Sequence, residues 1–466
     1  MKIMILAGGG GTRLFPVSRT NYPKQFLNVE SRISLLAKTV KRYLNVVEPR
    51  DILIVTGSRY IQSVREELRK VNALDAHIIS EPCQKNTAPA ITLAVRFCMD
   101  HLSSKGDEEI FVAPSDHIIK PDNEFIKKVK LCAEYSRDGK LVTIGIAPTK
   151  PETGYGYIKV ADSYKKGFNV EKFVEKPDYE KALSYLKEGC YYWNSGMYAF
   201  TIDTYMDELK AHSSELYEFM TTRNYAQFVK DFHKLNSISI DYAVAEKSKR
   251  IVSVPLDIYW NDVGSWDSLY DYFQKDEDNN VKIGDCKALS CKDSMIISNG
   301  RLVAAVGLED IIVVETSDVI MVAKKGESQR IKEIYDTIKD RNEAHDPATT
   351  QRPWGSYTVL SQGDGYKVKK IRVLPGESLS LQSHKHRSEH WIVINGQATI
   401  IIGGDDERTV RKNESIYVPK ETKHRLMNKG TEVLELIEVQ NGSYVGEDDI
   451  VRYEDVYERY MFMKEA

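Results

Sequence analysis

Four consecutive glycines, Gly8 to Gly11, follow a short apolar run, Ile3-Met4-Ile5-Leu6, and lead into Thr12, Arg13, Arg19 and Lys24. Lacking a Cβ, glycine lets several backbone N–H groups turn toward one anion and lets that anion approach the main chain. The cations behind the loop would neutralise the charge such a nest collects. The pattern predicts a strand-to-loop phosphate cradle, with a flexible glycine turn as the alternative. Two better-known loops are excluded. Gly11 leads into Thr12-Arg13, not the Lys-Ser/Thr of a P-loop, and the third glycine of a dinucleotide fingerprint is replaced by Arg13 or Leu14.

Four further stretches carry polar groups that such a loop needs. Ala113-Pro114-Ser115-Asp116-His117 sets Asp116 at the carboxyl end of an apolar strand, and Trp260-Asn261-Asp262-Val263-Gly264 offers a second acid beside a glycine. Two carboxylates from distant loops can hold one Mg²⁺ that bridges phosphate oxygens; taken singly, each also suits a helix cap or turn. Glu175-Lys176 ends a strand with an acceptor for sugar hydroxyls and a cation for a phosphate, or is a solvated surface pair. Asn194, followed by Ser195-Gly196, puts an amide where a sugar ring could approach, or forms a structural turn.

A second chemistry is written between Gly376 and Trp391, where Gln382, His384, His386, Glu389 and His390 crowd together. Gln382 and His384 are two apart and point the same way on a strand. Glu389 is within reach after a bend, and His424 would arrive from a later strand. Gln382, His384, Glu389 and His424 form a mixed N/O set suited to Zn²⁺ or another divalent metal.

The elements that must position these groups fall into three regions: 1–273, 274–345 and 346–466. In the first, apolar strands at Lys2–Ala7, Asp51–Thr56, Glu109–Ala113 and Leu141–Ala147 alternate with helix-period segments near Ser34–Asn45, Ser58–Asn72, Thr87–Leu102 and Asn123–Asp138. That alternation implies an α/β fold, a Rossmann-like parallel sheet covered on both faces, with ligands beyond the carboxyl ends of its strands. Strands at Gly156–Val160, Asn169–Val174 and Gly196–Thr201 break the alternation and suggest a mixed sub-sheet around a second substrate. Short runs from Met295 to Ala323 leave no room for helices and suit stacked β-turns of a β-helix fragment, before a helix near Glu327–Lys339. Lys339–Pro353 reads as a linker. From Trp354 to Val439 the pattern is strand and turn, an all-β domain, and Glu447–Met463 reads as a terminal helix.

With 466 residues, 42% hydrophobic and 29% charged, the chain is an ordinary globular protein. A net charge of −3 gives no global reason to bind nucleic acid or an anionic membrane. Six irregularly spaced cysteines without C-x-x-C read as reduced thiols. The N-terminal apolar run is too short for a signal peptide, so the expected location is the cytoplasm.

In order along the chain, LAGGGGTRLFPVSR, PKQF, EPCQKNTAPAI, APSDH, FVEKP, WNSGMYAF and WNDVGSW resemble the motifs of mannose-1-phosphate guanylyltransferases, over about the first 270 residues. The resemblance implies a mixed sheet of the kind seen in sugar nucleotidyltransferases and a reaction of GTP with mannose 1-phosphate that gives GDP-mannose and pyrophosphate. It places the nucleotide on Gly8, Gly9, Gly10, Gly11, Thr12, Glu81, Asn86 and Thr87, with Arg13 and Lys24 bracing the triphosphate. Gly154, Glu175, Lys176 and Asn194 would hold the sugar phosphate, and Asp116 and Asp262 the Mg²⁺. Residues 350–440, with Arg352-Pro353-Trp354-Gly355 and QSHKHRSEHW, resemble the cupin (jelly-roll) domain of type II phosphomannose isomerases. This implies metal-dependent interconversion of fructose 6-phosphate and mannose 6-phosphate. Arg387, His390 and Lys423 are candidates for its proton transfer, and Arg372, Arg411 or Arg425 for its phosphate. The alternatives are a monofunctional guanylyltransferase with a structural cupin, or a sensor built on the same scaffold. A homodimer through the β-helix segment is expected.

Overall fold

A computed structural model describes residues 1–29, 33–404, 406–454 and Tyr457. In the first region the strands are β1 (Lys2–Leu6), β2 (Ile52–Gly57), β3 (His77–Glu81), β4 (Glu109–Pro114), β5 (Ile118–Lys120), β6 (Leu141–Ile146), β7 (Tyr157–Tyr164), β8 (Gly167–Val174), β9 (Tyr191–Thr201), β10 (Ile251–Leu256) and β11 (Tyr259–Asn261). Nine of them form one sheet in the order β3-β2-β1-β4-β9-β6-β10-β8-β7. β1 runs parallel to β2 and β4, while β9 is antiparallel to both β4 and β6. Along β1, Ile3 and Ile5 join one core and Met4 the other, so both sheet faces are covered. The covering helices include α1 (Leu35–Tyr43), α2 (Ile61–Lys70), α3 (Thr87–His101) and α4 (Asp122–Arg137). The Ser34 hydroxyl caps α1 by accepting from Ala37 N at 3.1 Å.

Two features differ from the sequence expectation. His77–Glu81 forms an edge strand where none was predicted, because a five-residue run containing His77 and Ser80 lacks a continuous apolar signal. The strands after β6 do not make a separate sub-sheet; they complete the same nine-stranded sheet, with β9 wedged between β4 and β6.

In the second region, β12 (Val281–Ile283), β14 (Met295–Ile297) and β16 (Ile311–Glu315) stack in parallel, and β13 (Cys286–Leu289) stacks on β15 (Val303–Val306). β17 (Ile320–Lys324) closes this small β-helix antiparallel to β16. Its interior residues Met295, Ile312 and Val314 share a core with Leu14, Phe15 and Trp266 of the first region. The stretch expected to be a linker is instead ordered: it holds a helical turn, Asn342–His345, with Ala344 fully buried, and β18 (Thr349–Arg352). Thr20 N and Asn21 N donate to the Ala344 and His345 carbonyls at 3.1 and 2.9 Å.

The third region is a two-sheet β-sandwich. One sheet is ordered β18-β19-β20-β27-β22-β25 and contains β19 (Gly355–Gly363), β20 (Tyr366–Val373), β22 (Arg387–Asn395), β25 (Ser415–Val418) and β27 (Leu434–Gly442). The other is β24-β23-β26-β21-β28, with β21 (Leu381–His384), β23 (Gln397–Ile402), β24 (Asp406–Arg411), β26 (His424–Met427) and β28 (Ile450–Glu454). The expected terminal helix is corrected in its first part: Glu447–Asp449 is a single turn and Ile450–Glu454 is a strand paired with β21. The rest of that segment lies outside the described residues, Tyr457 excepted.

Candidate active sites

The glycine loop leaves β1 at Ala7, whose carbonyl is held by Gln25 Nε2 and Thr56 Oγ1, each at 2.9 Å. Gly11 sits at φ +55°, and a Cβ there would stand 2.6 Å from the backbone nitrogen of Lys24. Two costs therefore fall on one position: left-handed backbone and a main-chain collision. Gly11→Ala is expected to displace Lys24 and lower the pyrophosphate-release rate about a hundredfold, the usual order for an ångström-scale misplacement. Equal steady-state rates for the two proteins would show that the loop tolerates the shift.

Asp116 and Asp262 come together because β5 and β11 pair as a short ribbon, Asn261 opposite Ile118. Both acids flank the same end of it. Lys24 Nζ lies 2.9 Å from Asp116 Oδ2 and donates to the Asp262 carbonyl at 2.6 Å. The ammonium thus already stands as a cation between the two acidic loops, and the donor set of two carboxylates suits the hard cation Mg²⁺. Asp262 Oδ1 accepts from Tyr155 OH at 2.7 Å and Gly264 N at 3.0 Å. Val263, a β-branched residue, is held at φ +52°, with its N–H donating to Asn261 Oδ1 at 2.6 Å. His117 is buried, its pKa pushed down to about 4 by that burial, and its Nδ1 accepts from Trp260 Nε1 at 3.2 Å. Arg13 is exposed at the rim and makes no ion pair among the described residues.

Glu175, Asn194 and the sequence around Gly154, expected to hold the sugar phosphate, converge. A Cβ on Gly156 would lie 2.6 Å from Glu175 Oε2 and 3.4 Å from Asn194 Cβ. Lys176 Nζ pairs with Glu175 Oε1 at 2.5 Å, and Gly154 N donates to Glu152 Oε1 at 3.0 Å. Burial raises the Glu175 carboxyl above its ordinary range against the pull of Lys176. Asn194 is spent within the protein. Its Oδ1 accepts from Thr143 Oγ1 at 2.9 Å, and its Nδ2 donates to Asp241 Oδ1 at 2.9 Å. Asp241 opens the five-residue π-helical turn Asp241–Ala245 and also accepts from Tyr198 OH at 2.6 Å. Asp241, which the sequence reading did not single out, is thus held against Asn194 and Tyr198.

Near the glycines, Glu81 at the end of β3 packs over Gly8, where a Cβ would meet Glu81 Oε2 at 2.7 Å. Burial pushes its carboxyl up to about 7. Asn86 caps α3, its side chain accepting from Thr87 N at 2.8 Å, while Thr87 Oγ1 accepts from Ile240 N at 2.8 Å.

The second site lies between the two sheets of the sandwich. Ligand atoms of His384, Glu389 and His424 all lie within 4.8 Å of one another, and the three residues are buried. His384 Nε2 is 3.2 Å from Glu389 Oε1 and His424 Nε2 is 3.7 Å from Glu389 Oε2, yet neither nitrogen has a hydrogen-bond partner. Burial lowers the His384 pKa to about 4, leaving a neutral ring with a lone pair to give. His424 Nδ1 bonds the Thr422 carbonyl at 2.8 Å, which directs Nε2 inward. Gln382 sits beside His424 in the strand register. Orphaned imidazole nitrogens around a buried carboxylate fit a Zn²⁺-like ion.

Arg387 faces this cluster, donating to Glu389 Oε1 at 3.1 Å and to the Gly446 carbonyl at 2.6 Å. His390 does not. Along β22 the odd positions Arg387, Glu389 and Trp391 point inward, so His390 is exposed on the outer face, its ring 4.7 Å from Tyr417. Its assignment to proton transfer is corrected for that reason. Lys423 lies over the Tyr453 ring, Arg372 pairs with Glu435 at 2.9 Å, Arg425 with Glu454 at 2.9 Å, and Arg411 is exposed. None of these lines the interior cavity; its cations are Arg352, Lys369, Arg387 and Arg452. The cavity also holds Glu438, whose pKa burial and the Glu389 charge raise to about 8, with Trp391 Nε1 at 3.2 Å and Gln440 Nε2 at 2.9 Å.

Comparison with known proteins places these sites in a family. Residues 2–279 match the nucleotidyl transferase family, 286–338 the mannose-phosphate isomerase/GMP-like β-helix domain, and 339–455 the mannose-6-phosphate isomerase C-terminal domain. A Salmonella typhimurium protein named mannose-1-phosphate guanylyltransferase RfbM is 42% identical, with 99% of this chain and 98% of that one covered. The xanthan biosynthesis protein XanB of Xanthomonas campestris is 43% identical, with 98% of each chain covered. A Thermus thermophilus crystal structure, described as a mannose-1-phosphate geranyltransferase, superposes with a TM-score of 0.66 at 29% identity, covering 72% of this chain and 99% of its own. The chain belongs to the mannose-1-phosphate guanylyltransferases, nucleotidyltransferases that here carry a mannose-6-phosphate isomerase C-terminal domain.

Proposed function

We propose that the first region joins GTP and mannose 1-phosphate into GDP-mannose. The observation that carries this reading is the placement of the Lys24 ammonium between Asp116 and Asp262 beneath the glycine loop. An oxygen of the sugar phosphate attacks the α-phosphorus of GTP, a new P–O bond forms, and the bond to the leaving pyrophosphate breaks. No protein nucleophile is required, so positioning and charge stabilisation supply the rate. The glycine loop and Arg13 hold the triphosphate, Lys24 faces the charge that grows on it, and Lys176 meets the sugar phosphate. Glu175 and Asp241 accept from sugar hydroxyls, with Asn194 fixing Asp241. Asp116 and Asp262 would hold Mg²⁺, which supplies charge neutralisation when bound. A screen of four nucleoside triphosphates against several sugar 1-phosphates, read by pyrophosphate release, tests the reading; preference for another base or sugar would displace it.

Glu81 is the proposed acceptor for the two adjacent donors on the guanine edge, a contact that favours the carboxylate. With an empty-site pKa of about 7, binding must expel a proton at lower pH. GTP affinity is therefore expected to rise as pH climbs toward about 7 and to level off above it, and Glu81→Gln to remove that rise in a calorimetric pH series. The sign for the empty fold is opposite. A raised carboxyl pKa makes the charged form a burden, so this contribution to stability falls as pH climbs from the ordinary carboxylate range to about 7.

The C-terminal domain is proposed to interconvert mannose 6-phosphate and fructose 6-phosphate. His384, Glu389 and His424, with Gln382 beside them, would hold a divalent metal whose chemistry is polarisation of the sugar carbonyl. Glu438 is the ionisable side chain best placed to move the proton between C1 and C2, with Arg387 and the other cavity cations placed to bind phosphate. The intact donor set speaks against a purely structural cupin. Isomerase turnover that survives chelation would remove the metal from the reaction. The exposed apolar side chains Leu289, Val306, Ile320 and Val322 support a homodimer through the β-helix, and light scattering at the mass of a single chain would count against it.

A further inference from the structure

Tyr155 belongs to the sugar-side loop before β7, yet its hydroxyl spends its proton on an acid of the other side, Asp262 Oδ1, at 2.7 Å. Its ring is wedged edge-on against Trp193 and Trp260, with centroids 5.2 and 5.4 Å away. Trp193 adjoins Asn194 on the sugar strand. Trp260 adjoins the Asp262 loop and donates to His117, next to Asp116. One side chain thus touches the sugar wall and the acidic ribbon together. Asp262 Oδ1 carries two donors, Tyr155 OH and Gly264 N, whereas Oδ2 receives none from the described residues.

We propose that Tyr155 is a positioning residue for the transfer reaction: it fixes the rotation of the Asp262 carboxylate so that Oδ2 faces the divalent cation, and it couples cation affinity to occupancy of the sugar loop. A carboxylate saturated on one oxygen has one orientation left to offer, and partners of this kind govern metal affinity through the ligand they hold. The coupling follows from shared parts. Sugar phosphate that orders the loop also orders Tyr155, and by linkage the cation then strengthens sugar-phosphate binding by the same factor. The inference rests on the reading of Asp116 and Asp262 as the cation's ligands.

The test is Tyr155→Phe, which keeps the ring between the two tryptophans and removes only the hydroxyl, with Mn²⁺ as the cation probe. Calorimetric titration of the whole chain, with the His384–Glu389–His424 site filled beforehand with Zn²⁺, should show Mn²⁺ binding about tenfold weaker in the variant. Mannose 1-phosphate should strengthen Mn²⁺ binding in wild type and leave it unchanged in Tyr155→Phe. Thermal melting is read in parallel, and both proteins are titrated at a temperature where both are folded. Equal Mn²⁺ affinities overturn the proposal. Asp262→Asn separates the layers: if it too binds Mn²⁺ like wild type, the cation reading itself is wrong. If Asp262→Asn loses Mn²⁺ and Tyr155→Phe does not, only the role of Tyr155 falls.

Discussion

Lys24→Met is expected to lower the rate of pyrophosphate release by about a hundred- to a thousandfold while leaving isomerase turnover within experimental error. The ammonium is the cation nearest both acidic loops, 2.9 Å from Asp116 and 2.6 Å from the Asp262 carbonyl, and its side chain is only 13% exposed. A preorganised charge at such a site is worth about 3–4 kcal/mol to the transition state. Methionine retains most of the stem's volume, so the loss reports charge and not packing. Parallel assays of the two activities in one preparation check the result, and a fall of less than tenfold would remove Lys24 from the transfer step.

Glu389→Gln should have the largest effect in the other half of the chain. Glu389 is fully buried and receives Arg387, Trp391 and Gln440, while two imidazoles face it. Burial works to raise its carboxyl, but the imidazoles, protonated at low pH, together with Arg387 outweigh it and hold the pKa below the ordinary range. Gln at this position strands Arg387, itself 1% exposed, as a buried charge without its anion, a loss of about 3–5 kcal/mol. The amide also turns an N–H₂ toward donors it cannot accept from. Expected together are loss of the proposed metal by elemental analysis, loss of the proposed isomerase activity, and an earlier melting step for the C-terminal domain, with the transfer rate retained. Metal content at the wild-type level would show that Glu389 is not a ligand.

The parts of the sites that sequence made legible are those compressed into short motifs. The glycine loop with Lys24, the Asp116 and Asp262 loops, and the Gln382–Glu389 run each announce their chemistry within a short stretch, and the fold only had to bring them, and His424, together. Tyr155, Asp241 and Glu438 carry no such signal. A tyrosine, an aspartate and a glutamate inside ordinary runs become significant only when Asp262, Asn194 and Trp391 arrive beside them from elsewhere in the chain. His390 shows a different failure. The period-two rule that put Gln382 and His384 on one face also sets His390 opposite Glu389, and the richness of the histidine cluster obscured that parity. The linker reading of Lys339–Pro353 failed because polar composition and two prolines say nothing about Ala344, which packs into the core beside the glycine loop.

That packing has a consequence for synthesis. The chain just beyond the glycines is held from far downstream: Arg19, fully buried, pairs with Asp318 at 3.1 Å, the Phe15 carbonyl accepts from Trp266, Thr20 meets Tyr335, and Asn21 donates to Asp346. During translation at about 5–20 residues per second, roughly a quarter of a minute to a minute separates the emergence of the loop from that of its last fastener. The glycine loop is among the first segments the ribosome delivers and among the last to be completed. A chain stopped after its first 280 residues would contain every candidate transfer residue and still lack the fasteners from Asp318 onward.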